Sequence, residues 1–245
     1  MRARVPSGVR VAALALPVLV ASGAPAARAQ SDWWGAIVAT SARERIHFAD
    51  ASEELRGLVR GLEGGVEFGR VNLRARYAEG ALRPPGSDMR HDLAESFLIV
   101  GMRVVGGLEL AGGLQARAYT TSPGTERWML WQLRARYEAP VIAQVVHTYA
   151  ELWRSATGSV NAVNILRTQP QGTDFLVNVG GKRVSKTFQG ARGGEAGILI
   201  RGSGNAPTVR LAYSIDEARL EAGGYRDSIE GLTIAIGFDT RRHFD

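Results

Sequence analysis

Arginine stands at every second place in "NLRARY" (72–77) and again in "QLRARY" (132–137). In a helix the two arginines of each copy would point about 200° apart and mark no face; in a strand Leu, Ala and Tyr take one side and both arginines the other. The alternation extends well past these copies. Ten segments carry it, at about 35–46, 58–68, 71–81, 95–105, 108–120, 127–138, 142–154, 194–202, 208–218 and 229–239. On the third, Val71, Leu73, Ala75 and Tyr77 oppose Asn72, Arg74 and Arg76. On the sixth, Met129, Trp131, Leu133, Ala135 and Tyr137 oppose Gln132, Arg134 and Arg136. The ionisable faces of the fifth (Glu109, Gln115, Arg117, Tyr119), seventh (His147, Tyr149, Glu151) and ninth (Arg210, Ser214, Asp216) repeat the arrangement. The expectation is an all-β chain in which one face of each strand is apolar and the other ionisable throughout.

The connections constrain the topology further. Only "GR", "GG", "APV" and "GSGNAP" separate segments two and three, four and five, six and seven, and eight and nine. These are tight-turn compositions. The others are long and polar: "HFADASEELRG", "RPPGSDMRHDLA", "TSPGTER", the insert from Ser155 to Gly193, and "EARLEAGGYRDS". Short and long alternate, as in an up-and-down meander with turns at one end and loops at the other, whereas a β-sandwich mixes its loop lengths. Near the C-terminus "EGLTIAIGFDTRRHFD" sets Leu232, Ile234, Ile236 and Phe238 at alternating positions. It resembles the closing strand of bacterial outer-membrane β-barrel proteins, with the usual terminal aromatic displaced by "DTRRHFD" unless Phe244 fills that role. The resemblance implies an up-and-down antiparallel transmembrane β-barrel of about ten strands in the cell outer membrane, monomeric, with outer-membrane lipid and the barrel-assembly machinery as partners. Eight strands are also compatible, because the first and eighth segments are weakly patterned. Tyr77, Trp131, Tyr137, Tyr213 and Phe238 on the apolar faces fit an aromatic girdle. A lipocalin-like soluble carrier of an apolar ligand satisfies the same alternation with the faces exchanged and is the alternative.

The N-terminus sets the compartment. "MRARVPSGVR" carries three arginines and no acid, "VAALALPVLVA" is an apolar run, and Ala27 and Ala29 form an A-x-A site. This is the pattern of a cleaved signal peptide over residues 1–29, leaving a barrel domain over 30–245. Four of the 30 basic residues (Arg2, Arg4, Arg10, Arg28) and none of the 24 acidic ones lie in the leader, so the remainder is nearly balanced and gives no reason to invoke nucleic acid. Cysteine is absent, which removes disulfides, thiol nucleophiles and thiolate metal sites.

With polar faces turned inward, the lumen would hold Glu63, Glu67, Arg74, Arg76, Glu109, Arg117, Arg134, Arg136, His147, Tyr149, Glu151, Arg210 and Asp216. Adjacent strands about 4.8 Å apart would let Glu63 and Glu67 meet Arg74 and Arg76, and let Arg134 and Arg136 meet His147, Tyr149 and Glu151. The structural reading is a charge network that fills a narrow lumen; the functional reading is a selectivity ring in a small pore. An outer-membrane hydrolase would draw on loop residues His47, Asp50, Asp88, His91 and Asp92, but no local motif couples them, and no catalytic residue is assigned. No metal-ligand spacing or phosphate loop is present, and no cofactor is expected. The Ser155–Gly193 insert, as an outer loop, would be the recognition surface.

Overall fold

The computed structural model describes residues 31–48, 51–120, 125–143, 145–163, 184–186, 188–202, 206–220 and 225–240. The strands are β1 (Ser31–Phe48), β2 (Ala51–Phe68), β3 (Val71–Arg83), β4 (His91–Val105), β5 (Leu108–Thr120), β6 (Thr125–Ile142), β7 (Val146–Val163), β8 (Val184–Lys186), β9 (Phe188–Ile200), β10 (Thr208–Leu220) and β11 (Arg226–Asp239). Ten of them form a closed antiparallel barrel in meander order. The β1–β11 ladder, from Trp34↔Asp239 to His47↔Arg226, completes the ring. The short β8 pairs with β7 alone, along Val160–Ala162, and continues the line of β9.

All ten expected strands are present, with three differences in their limits. "HFADASEELRG" is not a long loop: β1 and β2 pair up to Phe48↔Ala51. Its charges suggested a loop, yet Glu44, Ile46 and Leu55 alternate inward and are essentially fully buried. The seventh strand starts at Val146 instead of 142, because Ile142 closes β6 and Ala143 turns the chain with a φ of 45°. The Ser155–Gly193 insert is strand at both its ends, since β7 runs to Val163 and β9 begins at Phe188. Residues 164–183, Asp50 and the leader lie outside the described residues.

The faces of the strands correct a larger expectation. Towards the turns the barrel is apolar outside and charged inside. Ile37, Leu62, Leu133, Leu152, Leu211 and Ile236 are between 45% and 69% exposed, while Arg117, Gln132 and Glu151 are buried. Trp33, Phe68, Tyr137 and Phe238 add exposed aromatics near the turn-side rim. Towards the loops the assignment reverses. Arg56, Arg83, Arg127, Arg154, Arg192 and Arg226 point outward, and Ile46, Leu55, Leu82, Tyr119, Trp128 and Leu220 are buried inside. One face is therefore not apolar throughout. A strand needs roughly 9–11 residues to cross a bilayer, and these have 13 to 18. The surplus stands in water, where burial selects the opposite phase of the same period-two repeat. Each of the ten barrel strands contributes to the resulting apolar core, from Ala42 and Ile46 on β1 to Ile229 on β11. Glycine allows the tight curvature there: a Cβ on Gly61 would lie 2.6 Å from Ala78 Cα, and one on Gly80 2.8 Å from Val59 Cα.

Depth dependence follows from this division. Ile234→Arg, in the middle of the lipid-facing belt opposite Leu211, is expected to cost about 2–4 kcal/mol in urea unfolding from phospholipid vesicles, and Thr120→Arg, at the loop-side end of β5, about 0–1 kcal/mol.

Candidate functional site

Inside the belt lies a cavity of about 460 Å³. Gly106, Pro140 and Phe238 line it at the turn end, and Ala42, Val59, Leu93, Trp153 and Ile229 at its apolar roof. The alternation that turns Leu73, Ala75 and Tyr77 to lipid turns Arg74 and Arg76 into it, and the second LRARY copy does the same with Arg134 and Arg136.

The charges are joined both between adjacent strands and across the lumen. Glu151 on β7 accepts from Arg74 of β3 at 2.7 Å and Arg134 of β6 at 2.5 Å, with Arg136 at 3.9 Å. Arg74 also lies 3.1 Å from Glu109, which accepts from Asn72 at 2.6 Å. Glu63 on β2 accepts from Arg210 on β10 at 2.7 Å; Arg210 also donates to Glu195 at 2.6 Å and to Tyr149 at 3.2 Å. Arg117 joins Glu95 at 2.5 Å to Asp216 at 3.0 Å, and the Trp153 indole donates to Asp216 at 2.9 Å. Gln132 and Gln115 link the Arg134 and Glu95 groups through amide hydrogen bonds. Arg134 lies 5.2 Å from the Phe97 ring centroid, and Arg136 lies 4.2 Å from that of Tyr149. Nearer the turns, Glu138 gathers Arg201, Arg136 at 3.1 Å and His147 at 3.2 Å.

Two expected pairings are replaced. Glu63 and Glu67 do not pair with Arg74 and Arg76: Glu67 meets Arg103 at 2.5 Å, and Arg76 donates to Thr40 at 3.2 Å. Glu63 is opposite Arg76 in register, but Arg210 reaches it from across the lumen. Of the expected β6–β7 contacts, Arg134 and Arg136 meet Glu151 and Arg136 lies over the Tyr149 ring, whereas His147 meets Glu138 and the Tyr149 hydroxyl donates to Glu195 at 2.5 Å. Sequence reasoning missed Glu95, Glu138, Glu195, Arg103 and Arg201. The first three stand in the inward phase of their strands, a signal that was available.

The hydrolase residues do not converge. His47 is exposed on the outer face of β1, whereas His91 is 1% exposed inside β4. Neither is on a loop. Asp92 points the other way from His91 and pairs with Arg90 outside. The His91 ring nitrogens have no hydrogen-bond partner among the described residues. Burial lowers the pKa of His91, which lies above the lipid-facing belt, and so favours its neutral form. Among the described residues no group of three His, Cys, Asp or Glu is placed to hold a metal ion.

Hydrocarbon tolerates only structures whose backbone polar groups are paired internally. A closed ladder, an apolar belt facing out and a charged lumen meet that condition together. The fold is that of a transmembrane β-barrel. No protein-family model matches the sequence, and no curated protein matches it. Among solved structures the barrel is similar to Neisserial surface protein A, at 10% identity over 84% of this chain and 97% of that one, with a TM-score of 0.39. It is also similar to the translocator domain of autotransporter NalP from Neisseria meningitidis, at 10% identity over 85% and 88%, with a TM-score of 0.46. A third is the P. putida toluene transporter TodX, at 8% identity over 90% and 92%, with a TM-score of 0.30.

Breaking a buried pair leaves a charge uncompensated, so Glu151→Gln, which leaves Arg134 without a carboxylate and takes one of two from Arg74 and from Arg136, is expected to destabilise the barrel by about 3–5 kcal/mol. Glu67→Gln, whose partner Arg103 is half exposed, is expected to cost less than about 1 kcal/mol in the same unfolding measurement.

Proposed function

We propose that this protein is a non-enzymatic, structural barrel of the outer membrane whose lumen does not conduct. The reading rests on the apolar disc above the charged cavity. A solute crossing the barrel would have to pass among Tyr119, Trp128, Leu130 and Leu220, all at 3% exposure or less. The packing closes the path there, and of the carboxylates buried at this end, Glu44, Glu126 and Asp227, the last two are taken up by the Trp128 indole and the Tyr119 hydroxyl. Below the disc most lumen arginines have a carboxylate partner, which suits a filling that rigidifies the wall more than a path for a permeant ion.

The narrow-channel reading draws on the cavity itself and requires the disc to open. A soluble carrier needs a charged exterior over its whole height, and the lipid-facing belt denies it that. The non-enzymatic part of the proposal is supported by the placement of His47 and His91 on opposite sides of the barrel wall.

In planar bilayers the purified barrel is expected to give no conductance steps, and Tyr119→Gly combined with Leu220→Gly to introduce small ohmic ones. Steady conductance from the unaltered protein would favour the channel instead. Ester or peptide hydrolysis that disappeared in His47→Ala or His91→Ala would overturn the non-enzymatic assignment.

A further inference from the structure

Directly above the lipid-facing belt, the cross-strand register sets arginine opposite arginine on the outer wall. The pairs are Arg43↔Arg56, Arg56↔Arg83, Arg154↔Arg192 and Arg219↔Arg226. Like charges directly opposite destabilise a sheet, and the carboxylates nearby offset only part of this. Glu54 is shared by Arg43 and Arg56 and lies 3.7 Å from Arg45, whose closer partner is Glu230 at 2.8 Å, and Glu217 alone serves Arg192, Arg219 and Arg226. Arg83 and Arg154 form no ion pair among the described residues. Two rows stand out as underneutralised: Arg43–Arg56–Arg83 across β1, β2 and β3, and Arg154–Arg192 across β7 and β9.

Both rows lie at the edge of lipid. Leu152 is two residues below Arg154 and Leu133 faces Arg154 across the β6–β7 ladder, 68% and 64% exposed, while Leu58, two below Arg56 and 44% exposed, is followed on the same outer face by Arg60, opposite Glu79, before the belt resumes at Leu62. Opposed residues on adjacent strands are about 4.5–5.5 Å apart, so one phosphate group can accept from both guanidiniums of a pair. Every cation in the two rows is arginine, whose planar fork matches phosphate oxygens two at a time. In a meander barrel the loop side faces outward.

We propose that these arginine rows bind the phosphate headgroups of lipids in the outer leaflet, a phosphate monoester bridging paired guanidiniums while its acyl chains lie along Leu58 or Leu152. The bound lipid would supply the negative charge that the register leaves missing, and would fix the barrel's height in the membrane.

The test is to reconstitute the full barrel in vesicles of phosphatidylcholine with phosphatidic acid, re-extract it, and weigh the retained lipids by mass spectrometry. Phosphatidic acid is expected to be enriched about tenfold, equivalent to about 1.4 kcal/mol. Enrichment should fall to parity when Arg56, Arg83, Arg154 and Arg192 are all changed to Gln. Arg70→Gln, on a turn at the opposite end, should leave it unchanged. Heat-modifiable mobility reports folding; should the fourfold variant not fold, Arg56→Gln/Arg83→Gln and Arg154→Gln/Arg192→Gln are each expected to lose part of the enrichment. Equal enrichment in the unaltered protein and the loop-side variants would overturn the proposal. Displacement of the phosphatidic acid by inorganic phosphate alone would also overturn it, because the site would then recognise a free anion and not a lipid.

Discussion

Hydrocarbon offers no hydrogen bond to a backbone amide, so a chain that crosses it with strands must return every N–H and C=O to another strand. The β1–β11 ladder meets this requirement by joining the two ends of the described chain, with Trp34 opposite Asp239. Hairpins alone would leave both edges open, and the other features of the molecule follow from closing them. Ten strands bent into a ring leave an interior too narrow for a broad aqueous channel and too large to leave empty. Side chains fill it, and the solvent outside each level determines which ones.

At the level of the lipid the apolar phase is drawn outward, leaving the inward phase to charged residues. Buried charges are costly alone and tolerable when paired and hydrogen-bonded. Glu151 among three arginines, and Arg210 between Glu63 and Glu195, show how the lumen meets that condition by bonding across its own width. Above the lipid the exterior is water, the apolar phase moves inside, and Trp128, Tyr119 and Leu220 pack as the core of a soluble barrel would. The barrel thus joins two kinds of interior in one wall, a polar one that spans and an apolar one that seals.

Much of this was legible in the residues. Strand number, meander order and the inward phase of both LRARY copies follow from period-two alternation, since a residue's face depends only on its parity. What parity does not encode is the environment on each side. Ile37 and Ile46 are both apolar, yet one faces lipid and the other the core, because they differ in height and the register places their phases on opposite walls. Pairing across the lumen was equally hidden. Arg210 and Glu63 are 147 residues apart on non-adjacent strands, and only the curvature of the closed barrel brings them together. The β1–β2 hairpin was mistaken for a loop because a strand standing in water carries as many charges as a loop does, and the distinction lay in the burial of every second residue.

The central claim is that the apolar face changes side along a single strand. β10 tests it well, because Leu211, Tyr213 and Ile215 face outward below the change, while Glu217 and Arg219 face outward above it. The chain contains no cysteine, so single spin labels can be placed at 211, 213, 215, 217, 218, 219 and 220 and their accessibility to oxygen and to a water-soluble nickel chelate compared in lipid vesicles. The account predicts oxygen-dominated labels at 211, 213 and 215, chelate-accessible labels at 217 and 219, and labels shielded from both reagents at 218 and 220. Oxygen dominance continuing through 217 and 219, with chelate reaching 218 and 220, would contradict it, for the lipid belt and an open aqueous lumen would then run the full height of the barrel.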